Sequence, residues 1–177
     1  MLPRKLQELW DEMEKIREIT LGAAKGLSEA DFARRVDGEW SVAEILEHLL
    51  IAETGTSKVI RKCLKENAGK LPPYPTDDSV LAVRPPKTSP RAVTQAPEAA
   101  IPSGGIGKED LLGRAAEVRR QMRVSLEMLA GADPGSAEFP HPLFGNLNLY
   151  EWPSILVLGH ERQHHLQIEA IVRKIKG

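Results

Sequence analysis

EWSVAEILEHLLIAE, running from Glu39 to Glu53, opens on a helix start and continues as a buried helix face. Ser41 followed three residues later by Glu44 is the pattern of a capping box, in which hydroxyl and carboxylate each satisfy a backbone N–H that the first turn leaves without a partner. Ile45, Leu46 and Leu49 then recur at the three- and four-residue intervals that line one side of a helix, and Val59 extends the set. The spacing predicts a helix from about Val42 to Asn67.

Working outward, the same periodicity recurs three more times. Leu6, Leu9, Trp10, Met13, Ile16 and Ile19 form a stripe between Pro3 and Ala24, with Pro3 suited to a first turn that has no use for its N–H. Residues 26–40 read as a mixed connection with a short helical turn around Ser28 to Ala33. Leu111, Leu112, Ala115, Val118, Met122 and Leu129 define a third long helix from about Lys108 to Ala130, ended by Gly131, Asp133, Pro134 and Gly135. After the uncharged loop PHPLFGN, a fourth helix is expected from about Leu149 to Lys174, with Pro153 in its first turn or so. Between the second and third helices, residues 69–107 hold prolines at 72, 73, 75, 85, 86, 90, 97 and 102, a density that no regular helix survives. So long a connection reads as a lid, a binding loop or a disordered insertion, and it is expected to lie over or beside the open end of the helices. The fold class expected is all-α, a four-helix bundle with one long Pro-rich connection, forming a single domain over residues 1–177.

Composition narrows the function. The 177 residues are 41% hydrophobic, 28% charged and 5% aromatic, as in a folded globular chain. Lys and Arg number 24 against 25 Asp and Glu, a net charge of -1, so no positive field draws in a phosphate backbone and no nucleic-acid partner is expected. The N-terminal stretch is charged throughout and no segment approaches the ~20 apolar residues of a spanning helix. The expected location is cytoplasmic, with no membrane partner. Cys63 is the only cysteine and reads as a buried structural thiol, without a CxxC pair or a nearby His to activate it.

Chemistry concentrates in the histidines. His160 and His164 are four apart on the fourth helix, so their rings stack one turn over the other within reach of one metal ion. They share the stripe of Val157, Ile168 and Ile171, where two imidazoles lose hydration unless something binds their nitrogens. His48 lies on the row Ser41, Ile45, Ala52 of the second helix, also turned inward. Three neutral imidazoles on facing helices would form an open ligand set of the kind found in catalytic rather than structural sites. From spacing alone, this reading and that of a hydrogen-bonded histidine cluster stand about level.

Three segments, EWSVAEILEHLLIAE (Glu39–Glu53), HPLFGNLNLYEW (His141–Trp152) and GHERQHHLQIEAI (Gly159–Ile171), resemble the DinB-like superfamily, a group that includes the YfiT-type metal-dependent enzymes. The resemblance covers nearly the whole chain apart from the Pro-rich segment. It implies a four-helix bundle binding a divalent metal through one His on the second helix and an HxxxH pair on the last. Carried onto this sequence, the implied metal ligands are His48, His160 and His164.

The remaining candidates read more plainly. His165 points about 100° away from His164 and is expected at a boundary or surface. His141 is expected to hold the turn HPLFG through a backbone hydrogen bond, with a catalytic acid or base role as the lesser alternative. Glu44, Glu161, Gln163 and Gln167 are near the ligands by helical arithmetic and are candidates to accept the second N–H of a ligating ring, against a solvated helix face as the default. SGGIGK (Ser103–Lys108) lacks phosphate-loop spacing and reads as a flexible lead into the third helix. Arg114, Arg119, Arg120 and Arg123, interleaved with Glu117 and Glu127, read as an exposed, salt-bridged face.

The resemblance implies two chemistries: conjugation or isomerisation with a low-molecular-weight thiol, and metal-assisted hydrolysis. The leading reading is a thiol-dependent S-transferase acting on a small electrophile, because no carboxylate stands out as a hydrolytic base. The alternatives are a metal-dependent hydrolase and a non-enzymatic stress-response or binding module. No acid or base residue is assigned. Imidazole ligands suit several ions, with zinc or nickel foremost and iron or manganese as alternatives, alongside a low-molecular-weight thiol cosubstrate. The expected partner is a small-molecule substrate, with a second copy of the chain, as a homodimer, as a further candidate.

Overall fold

The capping box forms as the sequence requires. Ser41 Oγ accepts from the Glu44 N–H at 3.2 Å, the Glu44 carboxylate accepts from the Ser41 N–H at 2.9 Å, and the helix that follows runs Val42–Glu66. The computed structural model of the chain describes residues 1–84 and 96–177. In chain order its elements are α1 (Arg4–Lys25), α2 (Glu29–Ala33), α3 (Val42–Glu66), α4 (Lys108–Leu129), β1 (Glu138–His141), β2 (Gly145–Asn148), α5 (Glu151–Pro153), a π turn (Ser154–Gly159) and α6 (His160–Lys176). The long helices α1, α3, α4 and α6 form an all-α bundle in which α3 lies along α4 and α1 along α6.

The bundle core comes in two parts. Leu6, Leu9, Met13, Ile60, Cys63, Met122, Leu126, Leu129 and Val157 pack together at one end. Ala24, Ile45, Leu46, Leu49, Leu111, Ala115, Ile168 and Ile171 pack at the other. On each long helix one buried charged residue separates the two sets: Arg17 on α1, Glu53 on α3, Arg119 on α4 and Glu161 on α6. Arg17 donates from Nε to Glu161 Oε1 at 2.6 Å and from Nη2 to Glu53 Oε2 at 2.7 Å. Arg119 lies 3.0 Å from Glu53 and 3.1 Å from Glu161. Two guanidinium groups and two carboxylates thus neutralise one another where four helices meet, the condition under which buried charge is tolerated.

Four sequence expectations are corrected here. Arg119 is buried rather than part of an exposed face. Ile19, although in step with the α1 stripe, is 46% exposed because the stripe's buried edge runs through Arg17 and Thr20 instead. The segment around PHPLFGN is an antiparallel hairpin rather than a plain loop, with Glu138 opposite Asn148 and His141 opposite Gly145. Three residues make its turn, closed by Gly145 at φ 72°, a left-handed conformation that glycine adopts without steric cost. Strands of four residues, one containing Pro140, are too short to show a period of two. Finally, the last helix is not uniform: it begins under a reciprocal cap, with Asn148 Oδ1 accepting from the Glu151 N–H at 2.8 Å and the Glu151 carboxylate accepting from the Asn148 N–H at 2.9 Å, and it passes through a π turn before α6.

The long connection is held at both described ends. Asp78 accepts from the Lys5 N–H at 2.9 Å, and Arg84 donates to Glu151 at 2.6 Å and 2.7 Å. From Pro97 the chain makes a 3-10 turn (Glu98–Ala100) and crosses beside His48 before joining α4. The part of the lid expectation that falls on residues 85–95 lies outside the described residues.

A three-histidine candidate metal centre

His48 sits on α3 within the apolar run Ile45, Leu46, Leu49, and is 4% exposed. His160 and His164 stand one turn apart at the start of α6. The bundle brings the three together. His48 Nε2 and His160 Nε2 are 3.0 Å apart, His160 Nε2 and His164 Nε2 are 3.0 Å apart, and one ring nitrogen of each residue lies within 4.8 Å of the others. Trp40 backs the group, its ring 5.0 Å from that of His48.

The outer nitrogens fix the protons. His48 Nδ1 donates to the Ala100 carbonyl at 2.6 Å, and His164 Nδ1 donates to Gln167 Oε1 at 2.6 Å. A neutral imidazole with its proton on Nδ1 presents a lone pair at Nε2, so both rings turn lone pairs toward His160. Burial pushes the His160 pKa down to about 3, with help from His164 and His48, and burial with His48 pushes His164 down to about 4. Burial lowers His48 as well, against the pull of Ala100. All three are therefore uncharged near neutral pH, the form in which imidazole binds metal.

These residues fit a divalent cation. His160 Nε2 holds at most one proton to set against two facing lone pairs, an arrangement that an electropositive guest relieves. Two ligand nitrogens about 2.1 Å from one ion and about 90° apart lie ~3.0 Å from each other, the separation seen for two of the three pairs. Three protein ligands leave positions for water or substrate.

The π turn sets up His160. Its N–H reaches the Ile155 carbonyl five residues back, leaving the Leu156 carbonyl to favour a proton on the ring, although that contact falls short of hydrogen-bond geometry at the buried Nδ1. Single π turns of this kind recur at functional sites. Gly159 permits it: a Cβ there would stand 3.3 Å from the Ser154 carbonyl.

Of the other candidates, Gln167 alone among the four named side chains supports a histidine of the centre. Glu44 is engaged by Ser41 and Arg35, whose guanidinium holds its pKa down at about 2. Glu161 faces Arg17 and Arg119, and Gln163 is exposed. His165 turns toward Glu169, 3.5 Å away, outside the cluster. His141 Nδ1 accepts from the Leu143 and Phe144 N–H groups at 3.2 and 3.3 Å and so holds the hairpin turn. Sequence reasoning missed the Ala100 carbonyl, since a backbone acceptor leaves no side-chain signal. It also missed the Arg17–Glu53–Arg119–Glu161 layer, whose signal was present: each residue is a charge standing in the register of its helix's apolar stripe.

Comparison with known proteins agrees with this architecture. The chain is 27% identical to the uncharacterised protein YuaE of Bacillus subtilis (strain 168), in a match covering 96% of this chain and 93% of that protein. The crystal structure of TT2238, a four-helix bundle protein, superposes with a TM-score of 0.63 at 20% identity, over 92% of this chain and 96% of that one, a likeness of fold. The profile of the DinB superfamily matches residues 12–168, nearly the full length, and the chain belongs to that superfamily.

Proposed function

We propose that the protein binds a divalent metal ion through His48, His160 and His164 and uses it to transfer a low-molecular-weight thiol to a small electrophile. The observation that carries the reading is the convergence of three uncharged imidazoles on one point with their Nε2 atoms turned inward. A bound divalent ion would supply Lewis acidity, favouring the thiolate form of a thiol near neutral pH. The chain's own part is to keep the three rings neutral by burying them, to orient His48 and His164 through Ala100 and Gln167, and to shield the group beneath Trp40 and the segment around Ala100. In the transfer the thiol S–H proton is lost, an S–C bond forms at the electrophilic carbon, the bond to the leaving group breaks, and a proton returns to that group.

Thiol transfer is favoured over hydrolysis because the carboxylates around the centre are occupied. Glu44 is held by Arg35 and Ser41, Glu47 by Ser103 and Gly104, and Glu53 and Glu161 by Arg17 and Arg119. A thiol ionises more readily than water and so depends less on a side-chain base.

Elemental analysis of the purified protein, followed by zinc or nickel loading and assay against electrophiles with several cellular thiols, tests the reading. About one metal per chain and thiol-dependent loss of electrophile, both abolished in His48→Ala, are expected. Turnover of ester or amide panels without thiol would assign a hydrolase, and a loaded protein inert to both would leave a binding module.

A further inference from the structure

Glu47 and His48 are neighbours on α3, about 100° apart around the helix, so they address different partners. Both partners belong to one short segment. Glu47 Oε1 accepts from the Ser103 N–H at 2.9 Å and from Ser103 Oγ at 2.6 Å, and Oε2 accepts from the Gly104 N–H at 3.0 Å. Three residues earlier than Ser103, the Ala100 carbonyl accepts the His48 Nδ1 proton.

The run between these two attachments is stiff. Pro97 opens the 3-10 turn and its carbonyl accepts from the Ala100 N–H at 2.8 Å, while the Ile101 N–H closes on Glu98 at 3.2 Å. Buried Pro102 has its φ fixed by its ring. Gly104 at φ 72° lets two successive N–H groups point at one carboxylate, a small anion-binding nest. Two backbone N–H groups and one hydroxyl thus converge on the single Glu47 carboxylate.

We propose that Glu47 is a positioning residue for the three-histidine centre: by gripping Ser103 and Gly104 it places the Ala100 carbonyl that keeps the His48 proton on Nδ1 and leaves its Nε2 lone pair facing His160. Without the grip, the proton of a neutral His48 is free to occupy either nitrogen, and the Nε2–H form has no lone pair to offer there. The consequence for metal affinity rests on the function proposed above, whereas the tautomer does not.

The test uses the metal-free full-length protein with 15N-labelled histidine at about pH 8, where the rings are neutral. Long-range 1H–15N correlation spectra should show His48 and His164 as Nδ1–H in the wild type. Glu47→Ala and Gly104→Val approach the grip from opposite sides, the second through strain of a β-branched residue at positive φ. Both should shift His48 toward the Nε2–H tautomer and leave His164, set by Gln167, as Nδ1–H. In zinc titrations both should bind about 10–100-fold more weakly, and Glu47→Gln, which keeps an oxygen for Ser103, should fall between. An unchanged His48 tautomer in either variant, or loss of the preference at all the rings together, overturns the proposal. Failure of the wild type to bind zinc would count against the proposed function alone, because the tautomer readout requires no metal.

Discussion

Arg17 on α1 clasps Glu161 on α6 through two hydrogen bonds, Nε to Oε1 at 2.6 Å and Nη2 to Oε2 at 3.0 Å, at the residue directly after His160. The clasp fixes the rotation of α6 about its axis, and with it the direction in which His160 and His164 point. Burial alone would lower the Arg17 pKa, but Glu53 and Glu161 overcome it and raise it, so the group stays charged.

Replacing Arg17 with Met should therefore be severe. It leaves Glu53 and Glu161 buried against Arg119 alone, and loss of one partner from such a network costs roughly 3–5 kcal/mol. Urea unfolding of the metal-free protein measures this. Replacing all four charged residues with apolar ones of similar volume should recover most of the loss, since no unpaired charge then remains.

His160→Ala and Leu126→Ala should separate site from core. The first removes one of three ligands and should abolish most metal binding while the fold survives, because the bundle is held by its apolar stripes. The second empties a fully buried position on α4 and should cost about 2–5 kcal/mol with the ligand set intact. Leu156, in the π turn, is only half-buried and would be the milder truncation. Bound-metal measurements and circular dichroism melts make the comparison, and an unfolded His160→Ala protein would show the metal to be structural.

Acid should destabilise the metal-free protein early. His160 and His164 titrate at about 3 and about 4 when folded but near about 6.5 when unfolded. Between these values the unfolded chain binds more protons, so stability is full above about pH 6.5 and falls as the pH drops toward 4 and then 3. Glu44, held at about 2 by Arg35, adds its own loss only below its unfolded value of 4.5. Urea midpoints measured across this range should decline from pH 6.5 downward, and His160→Gln should lessen the slope throughout and most completely between about pH 4 and 3, where His160 alone of the two still titrates.

Gly159→Ala probes the π turn. The added Cβ would stand 3.3 Å from the Ser154 carbonyl oxygen, a tight contact that the backbone must relieve by a few tenths of an ångström and that strains the turn toward rewinding. Rewinding would carry His160 off its present direction, so metal affinity should fall, while alanine's better helix propensity, about 1 kcal/mol, offsets the strain in overall stability. Zinc titration and thermal melts on one variant read the two effects separately.

The helices were legible because each advertises itself locally: Ser41 and Glu44 close a cap within one turn, and Leu46, Leu49, Leu111 and Met122 fall into period without reference to the rest of the chain. The inward face of His160 and His164 was legible for the same reason. What tertiary structure decided is whatever joins residues far apart in sequence. The meeting of His48 with His160 across 112 positions depends on how α3 and α6 cross, and the choice of Ala100 as the acceptor for His48 depends on where a Pro-rich connection without periodicity comes to rest. The burial of Arg17 and Arg119 likewise follows from the carboxylates that other helices bring opposite them. A charge standing in an apolar register marks a side chain as facing inward, but which partner offsets the cost of leaving water becomes fixed only when the helices pack.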